Sequence, residues 1–297
     1  MSLPGDITIR HRVRVALLAL AAALAGLVGD ASASELLDRN ASQTSLTVNS
    51  SGQALVSWRA SGRTRQVIAW GAIDARPPRQ GVTQVSFSLR YGGKSILSGG
   101  CLRYDGPPLP WLVRACKAPD GSYWALQSWQ RAKPNYGGSR GTWDLRLSHW
   151  SGPLPQLQVW TDWAYRRYDH LYGRLTYAGQ PVFGFRTTSQ GNPLDTYGRN
   201  IYVDTYNSRY GSSWHRENGF LAQKPTGVFC YGFYPHGSRP SGNGTRYRAT
   251  VIGPGVTPDV MWEGPAPGPF DKTRELQANA HQRALFAAAG PGGCRPR

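Results

Sequence analysis

The sequence predicts a mostly β protein, an antiparallel, jelly-roll-like β-sandwich with one short C-terminal helix. From about residue 44 to residue 262, apolar residues alternate with polar ones at a period of two, as in strands with one buried face. Clusters of Gly, Pro, Ser and Asn interrupt this pattern at short intervals. Many short strands separated by turns are typical of sandwiches.

Residues 1–33 have the features of a secretory signal peptide. Three arginines precede the apolar run Val15–Val28, and Ala31-Ser32-Ala33 forms a small-residue cleavage site, so we expect a cut after Ala33. The run of 14 residues is shorter than the roughly 18 that a membrane-spanning helix needs. The pattern therefore predicts a secreted, extracellular protein without a transmembrane anchor.

Four regions follow from the pattern along the chain. We expect a flexible segment at 34–43 after the signal peptide, one β-sandwich domain at 44–262, and a Pro/Gly-rich tail at 263–297. The turn at 118–121 is the alternative boundary, should the sandwich be two domains. The predicted strands are Ser45–Val48, Ala54–Arg59, Arg65–Ile73, Val85–Tyr91, Trp111–Cys116, Tyr123–Gln130, Thr142–Trp150, Gln156–Trp163, Leu171–Tyr177, Val182–Thr187, Asn200–Tyr206, Gly227–Tyr234 and Tyr247–Ile252, with a further short strand around Trp214.

The tail contains the one helix that the sequence predicts. Helix-forming residues are concentrated in 273–289, and Gly290-Pro291 ends the run.

The charge of the chain favours an anionic partner. The formal net charge is +17, and 29 of the 34 basic residues are arginine, whose planar fork suits carboxylate, sulfate and phosphate. Coding bias in a GC-rich genome explains the same composition equally well. The sequence contains no zinc, nucleotide, calcium or C-x-x-C redox motif, so we expect no metal and no cofactor.

Four cysteines follow the predicted cleavage site, and an extracellular location favours their oxidation. Four cysteines allow three pairings. Proximity along the chain favours Cys101 with Cys116 and Cys230 with Cys294.

The densest group of aromatic and charged residues lies between Asp195 and Asn218. Strand alternation would place Tyr202, Asp204 and Tyr206 together on an outward face, either as part of a site or as cross-strand packing in which a neighbouring arginine satisfies Asp204. A short strand around Trp214 would place His215 and Glu217 on one side, and Trp214 and Arg216 on the other. The candidate catalytic residues are Asp204, Tyr206, His215 and Glu217; the candidate ligand-binding residues are Tyr165, Arg166, Arg167, Tyr168, Tyr197, Arg199, Tyr202, Trp214 and Arg216.

Two main functions are compatible with these residues. The first is non-catalytic binding of an extracellular carbohydrate or cell-wall polymer, acidic glycans included, by a monomer. The second is a polysaccharide-degrading enzyme, either a hydrolase with paired carboxylates or a lyase with a Tyr or His base. The strand Tyr202–Asn207 is loosely similar to the tyrosine-bearing strand of jelly-roll alginate lyases, which would imply elimination on a uronate. Nucleic-acid binding is a third possibility, but export argues against it, so we expect no specific nucleic-acid partner.

Overall fold

A computed structural model describes residues 34–77, 84–92, 99–131, 142–164, 168–182, 201–208, 212–216, 219–223, 227–233 and 244–287. These residues form antiparallel strands and a single helix, which confirms the predicted mostly β class. The elements in chain order are β1 (Glu35–Arg39), β2 (Ser42–Val48), β3 (Ala54–Ala60), β4 (Arg63–Trp70), β5 (Ser88–Tyr91), β6 (Leu112–Lys117), β7 (Tyr123–Arg131), β8 (Thr142–Trp150), β9 (Gln156–Ala164), β10 (Tyr168–Tyr177), β11 (Gln180–Pro181), β12 (Ile201–Tyr206), β13 (Trp214–Arg216), β14 (Gly219–Gln223), β15 (Val228–Phe233), β16 (Arg246–Val251), β17 (Val260–Pro265) and α1 (Lys272–Ala287).

The strands form four sheets. Sheet A has the order β1-β8-β7-β6, and sheet B the order β2-β3-β4-β5. Sheet C has the order β13-β12-β16-β17. In sheet D, β10 pairs with β9 along one edge and with β15 and β11 along the other, and β14 follows β15. Most neighbouring strands are also close in sequence, because short turns can join antiparallel strands.

Two apolar cores hold the sheets together in pairs. Trp58 and Val56 of sheet B pack with Trp124 and Leu126 of sheet A, and all four are at most 1% exposed. A second core joins sheets C and D through residues that include Val203, Tyr247, Phe229 and Tyr231. Each pair has the face-to-face arrangement of a sandwich, as the sequence predicts, and Phe87 packs against both cores. Alternation predicts that a side chain is buried, but it does not predict which sheet the side chain packs against.

A buried layer with many polar groups connects sheet A to sheet C. At its centre Asp259, fully buried, accepts hydrogen bonds from Ser34 Oγ at 2.5 Å and Trp129 Nε1 at 2.8 Å. Arg146, also fully buried, forms an ion pair with Asp259 at 3.0 Å and donates to Ser34. Charges buried this deeply are stable only when they are paired. The polar layer consequently links the chain at Ser34, strands β7 and β8, and the start of β17.

The first residues after the predicted cleavage site are ordered by pairing. Residues 35–39, expected to be loose, form β1 against β8, with Glu35 opposite Leu147 and Arg39 opposite Asp144. The 118–121 segment, considered above as a boundary, is the turn between the paired strands β6 and β7, closed by the Gly121 N–H bond to the Ala118 carbonyl at 3.0 Å.

Trp143 differs from its expected position. It shares a strand face with the buried Leu145 and Leu147, and this alternation predicts a core residue. Trp143 is instead 47% exposed, and it is the second residue of β8.

Helix α1 matches the predicted C-terminal helix within two residues at each end. Asp271 caps its start by accepting hydrogen bonds from the backbone of Thr273 at 2.7 Å and Arg274 at 3.1 Å. Ala278 and Phe286 pack against Tyr172 and Val228 of sheet D. No helix within the described ranges is long and apolar enough to span a membrane.

One predicted disulfide is present, between Cys101 and Cys116, with Cα atoms 5.3 Å apart. Cys230, on β15, is also disulfide-bonded. Cys294 lies outside the described residues, so the Cys230–Cys294 pairing stays a prediction.

Candidate functional site

The described residues include part of the predicted site. Tyr202, Asp204, Tyr206, Trp214, His215 and Arg216 lie on β12 and β13. Tyr168 starts β10, where its backbone is paired with Ala164. The remaining predicted site residues, Tyr165, Arg166, Arg167, Tyr197, Arg199 and Glu217, lie outside the described residues.

Three strands of sheet C bring the central residues together. On β12, Asp204 lies opposite Arg216 of β13 on one side and Arg248 of β16 on the other. Two residues further along, Tyr206 lies between Trp214 and Arg246 in the same way. Residues two apart share a strand face, so these six side chains lie on one face of sheet C. We call Asp204, Tyr206, Trp214, Arg216, Arg246 and Arg248 the arginine–aromatic cluster.

The opposite face of β12 belongs to the core, as the alternation predicts: Ile201 and Val203 pack against sheet D. The face that carries the cluster was expected to point outward, and at one end it does not. Tyr202 and Asp204 are each 1% exposed, and the Tyr202 ring meets Trp129 of sheet A at 5.7 Å. Sheet A therefore covers the Tyr202 end of this face, while Tyr206 and Trp214 remain partly exposed.

Asp204 is held by two buried arginines. Arg216 Nε donates to Oδ1 at 3.1 Å, and Arg248 Nε donates to Oδ2 at 2.9 Å. Burial alone would raise the pKa of Asp204, but the two guanidinium groups outweigh it and keep the pKa below its usual value. Asp204 is thus ionised near neutral pH, and its contacts fit a role in positioning the arginines.

The aromatic rings of the cluster alternate with guanidinium groups. Arg246 lies over the Tyr206 ring at 4.6 Å, and Arg248 lies over the Trp214 ring at 4.4 Å. Tyr206 and Trp214 are themselves 5.1 Å apart. Cation–π contacts of this kind fix the orientation of long arginine side chains. The result is a row of rings and cations whose outer members reach solvent.

The predicted catalytic residues do not all converge. His215 pairs with Thr205 in the register, and it therefore lies on the face of β13 opposite to Arg216 and Trp214. It is partly exposed and lies 3.4 Å from Ser213 Oγ. The described residues therefore place Asp204 and Tyr206 on one face of sheet C and His215 on the other.

Three residues of the surrounding surface escaped the sequence analysis. Arg246 and Arg248 belong to β16, and Trp111, which precedes β6, lies 5.5 Å from the Arg248 guanidinium. The alternation of Arg246 and Arg248 was visible in the sequence, but nothing there indicates that β16 pairs with β12.

A second polar group surrounds His149, away from the cluster. His149 Nδ1 lies 2.9 Å from the Gly71 carbonyl, and Nε2 lies 2.9 Å from Ser122 Oγ. Ser122 Oγ also donates to Asp120 at 2.6 Å. Burial lowers the pKa of His149, with opposing contributions from Gly71, Asp120 and Asp74. Since Ser122 is 1% exposed, this serine–histidine contact ties segments together rather than presenting a nucleophile.

Comparison of this chain with protein-family models, with curated proteins and with solved structures finds no match.

Proposed function

We propose that the protein is a secreted, non-catalytic binding protein for an extracellular carbohydrate or cell-envelope polymer, and that the arginine–aromatic cluster is its binding surface. The observation that carries the proposal is the partly exposed Trp214–Tyr206 pair, set among arginines on paired strands. Aromatic rings offer flat apolar faces for sugar rings, and a rigid strand support lowers the entropy cost of binding.

The state of Asp204 supports binding over catalysis. A general acid needs a pKa near the working pH and access to the substrate. Asp204 is 1% exposed, and its pKa is lowered rather than raised. The same carboxylate is well suited to hold Arg216 and Arg248 in place for a ligand.

A retention assay tests the proposal. The purified protein is mixed with insoluble neutral and acidic polysaccharides and with isolated cell-wall material, and the bound fraction is measured after washing. We expect affinity for the retaining polymer to fall by about two- to thirtyfold for Trp214→Ala and Tyr206→Ala, since stacking on an aromatic ring is worth roughly 0.5–2 kcal/mol.

Trp143→Ala is the matched control, because Trp143 is a 47% exposed tryptophan on the face of sheet A that carries Leu145 and Leu147. This variant should be retained like the unmodified protein. Retention of all three variants at the unmodified level would refute the assignment of the surface.

A further inference from the structure

We infer that the arginine–aromatic cluster takes an anionic oxygen group of its ligand, a carboxylate, sulfate or phosphate, at the outer side of Arg248 and Arg246. This inference rests on the proposed function and specifies the substrate class: a polymer that carries regular negative charges next to its rings.

The charges within the cluster do not balance. Arg216 and Arg248 share the single carboxylate of Asp204, so the ion pairs among the described residues leave one positive charge of these three groups uncompensated. Arg246 has its own partner, Glu263, at 2.7 Å. Within the described parts of the chain, the ion pairs of Arg216 and Arg248 involve Asp204 and no other acidic group. Because an unpaired charge in a buried site is costly, the cluster favours a further anion.

One guanidinium nitrogen of the cluster also lacks a hydrogen-bond partner among the described residues. Arg216 is 2% exposed, and its Nη2 atom has no hydrogen-bond partner among the described residues. Both Arg216 and Arg248 use Nε to reach Asp204. The Nε–H is one of the five N–H donors on the guanidinium edges of Arg248, and about 10% of its side chain is exposed. A guanidinium edge of this kind can bind an anionic oxygen group through two parallel hydrogen bonds.

The guanidinium groups are already held in position before a ligand arrives. Arg216 lies over the Tyr202 ring at 4.2 Å, and Arg248 contacts the Trp214 ring at 4.4 Å and the Trp111 ring at 5.5 Å. Such fixed side chains lose little freedom on binding. An anion beside Arg248 would also bring the attached sugar ring next to Trp214 and Tyr206, so one ligand can use both parts of the surface.

The decisive experiment compares polymers with the same backbone and different charge. Binding of polygalacturonate and of its methyl ester is measured by isothermal titration calorimetry, followed by a sulfated polysaccharide with its desulfated form and by a phosphorylated polysaccharide with its dephosphorylated form. We expect the charged member of at least one pair to bind tenfold or more tightly, and the pair that shows the preference identifies the anion. Inorganic sulfate and phosphate serve as competitors.

Variants separate the site from the general charge of the protein. Arg246→Gln and Arg248→Gln should reduce the preference for the charged polymer at least threefold. Arg65→Gln removes the same charge at a 48% exposed position on sheet B and should leave the preference unchanged. Since Arg248→Gln alters a buried ion pair, thermal unfolding is recorded for each variant, and the half-exposed Arg246 provides a variant with little effect on folding.

The outcomes distinguish the two proposals. Equal binding of the charged and uncharged members of every pair would overturn the anion inference and leave the proposed function standing. An equal loss with Arg65→Gln would show nonspecific attraction to a basic protein and would also overturn it. Failure to bind any of the polymers, charged or neutral, would refute both proposals.

Discussion

Replacing Asp204 with asparagine is expected to destabilise the protein by about 3–5 kcal/mol, because it leaves two buried arginines without a counter-charge. The side chains of Asp204, Arg216 and Arg248 are 1%, 2% and 10% exposed, so water cannot substitute for the lost carboxylate. Small domains are stable by about 5–15 kcal/mol, and the loss would be a large part of this total.

Urea unfolding followed by tryptophan fluorescence measures the effect. Glu263→Gln is the matched control: it also removes a carboxylate from an arginine of β16, but Glu263 and Arg246 have 32% and 50% exposed side chains. Exposed pairs contribute about 0–1 kcal/mol. If Asp204→Asn costs no more than Glu263→Gln, the buried carboxylate does not hold the arginines as described.

The same carboxylate predicts a dependence on pH. The pKa of Asp204 is lower in the folded protein than its usual value of 3.8, so its contribution to stability is present above pH 3.8 and is lost as the pH falls through the folded pKa. The Asp204→Asn variant lacks this group, and its stability should fall less steeply with acid than that of the unmodified protein. If the free energy of unfolding fell equally with acid in both proteins, the lowered pKa of Asp204 would be contradicted.

Three further predictions concern stability. Burial lowers the pKa of His170 from 6.5 to about 3, so its contribution to stability is complete above pH 6.5 and falls by up to roughly 4 kcal/mol as the pH approaches 3. The stability of the His170→Gln variant should therefore fall less in acid than that of the unmodified protein. Free energies of unfolding that fall equally with pH in both proteins would contradict this prediction. Replacing both Cys101 and Cys116 by alanine should cost about 3 kcal/mol, since they are 15 residues apart; a loss below 1 kcal/mol would refute this. Asp271→Ala should lower the free energy of unfolding by about 1 kcal/mol, with Asp105→Ala, at an exposed position, as the control.

The strands that the sequence predicts share two features, alternation and turn residues at their ends. Val56 and Trp58 alternate with more exposed neighbours along β3, and the structure buries both. β1, β11, β14 and β17 escaped prediction. They have few residues, and β17 runs directly into Pro- and Gly-rich sequence, so local signals are weak. What stabilises them is the hydrogen-bonded neighbour, which lies far away in the chain for β1, paired with β8.

In the candidate site, too, some features follow from neighbouring residues in the sequence, and others depend on strands that lie far away along the chain. That Tyr202, Asp204 and Tyr206 share a face follows from the period of a strand. The burial of Asp204, and the presence of Arg248 beside it, depend on strand β16 more than 40 residues later. A residue pattern records which side chains alternate, and it holds no information on which strand will lie next to them.

The sequence by itself determined the class of the protein: mostly β, with a C-terminal helix and a strongly basic composition. These properties depend on local spacing and on composition, both of which can be read along the chain. The tertiary structure decided which sheets pack together, that Asp204 is a buried ion-pair partner instead of an exposed acid, and that arginines from two strands surround it. Sheet order and burial arise from contacts between distant segments, and those contacts form only when the whole chain folds.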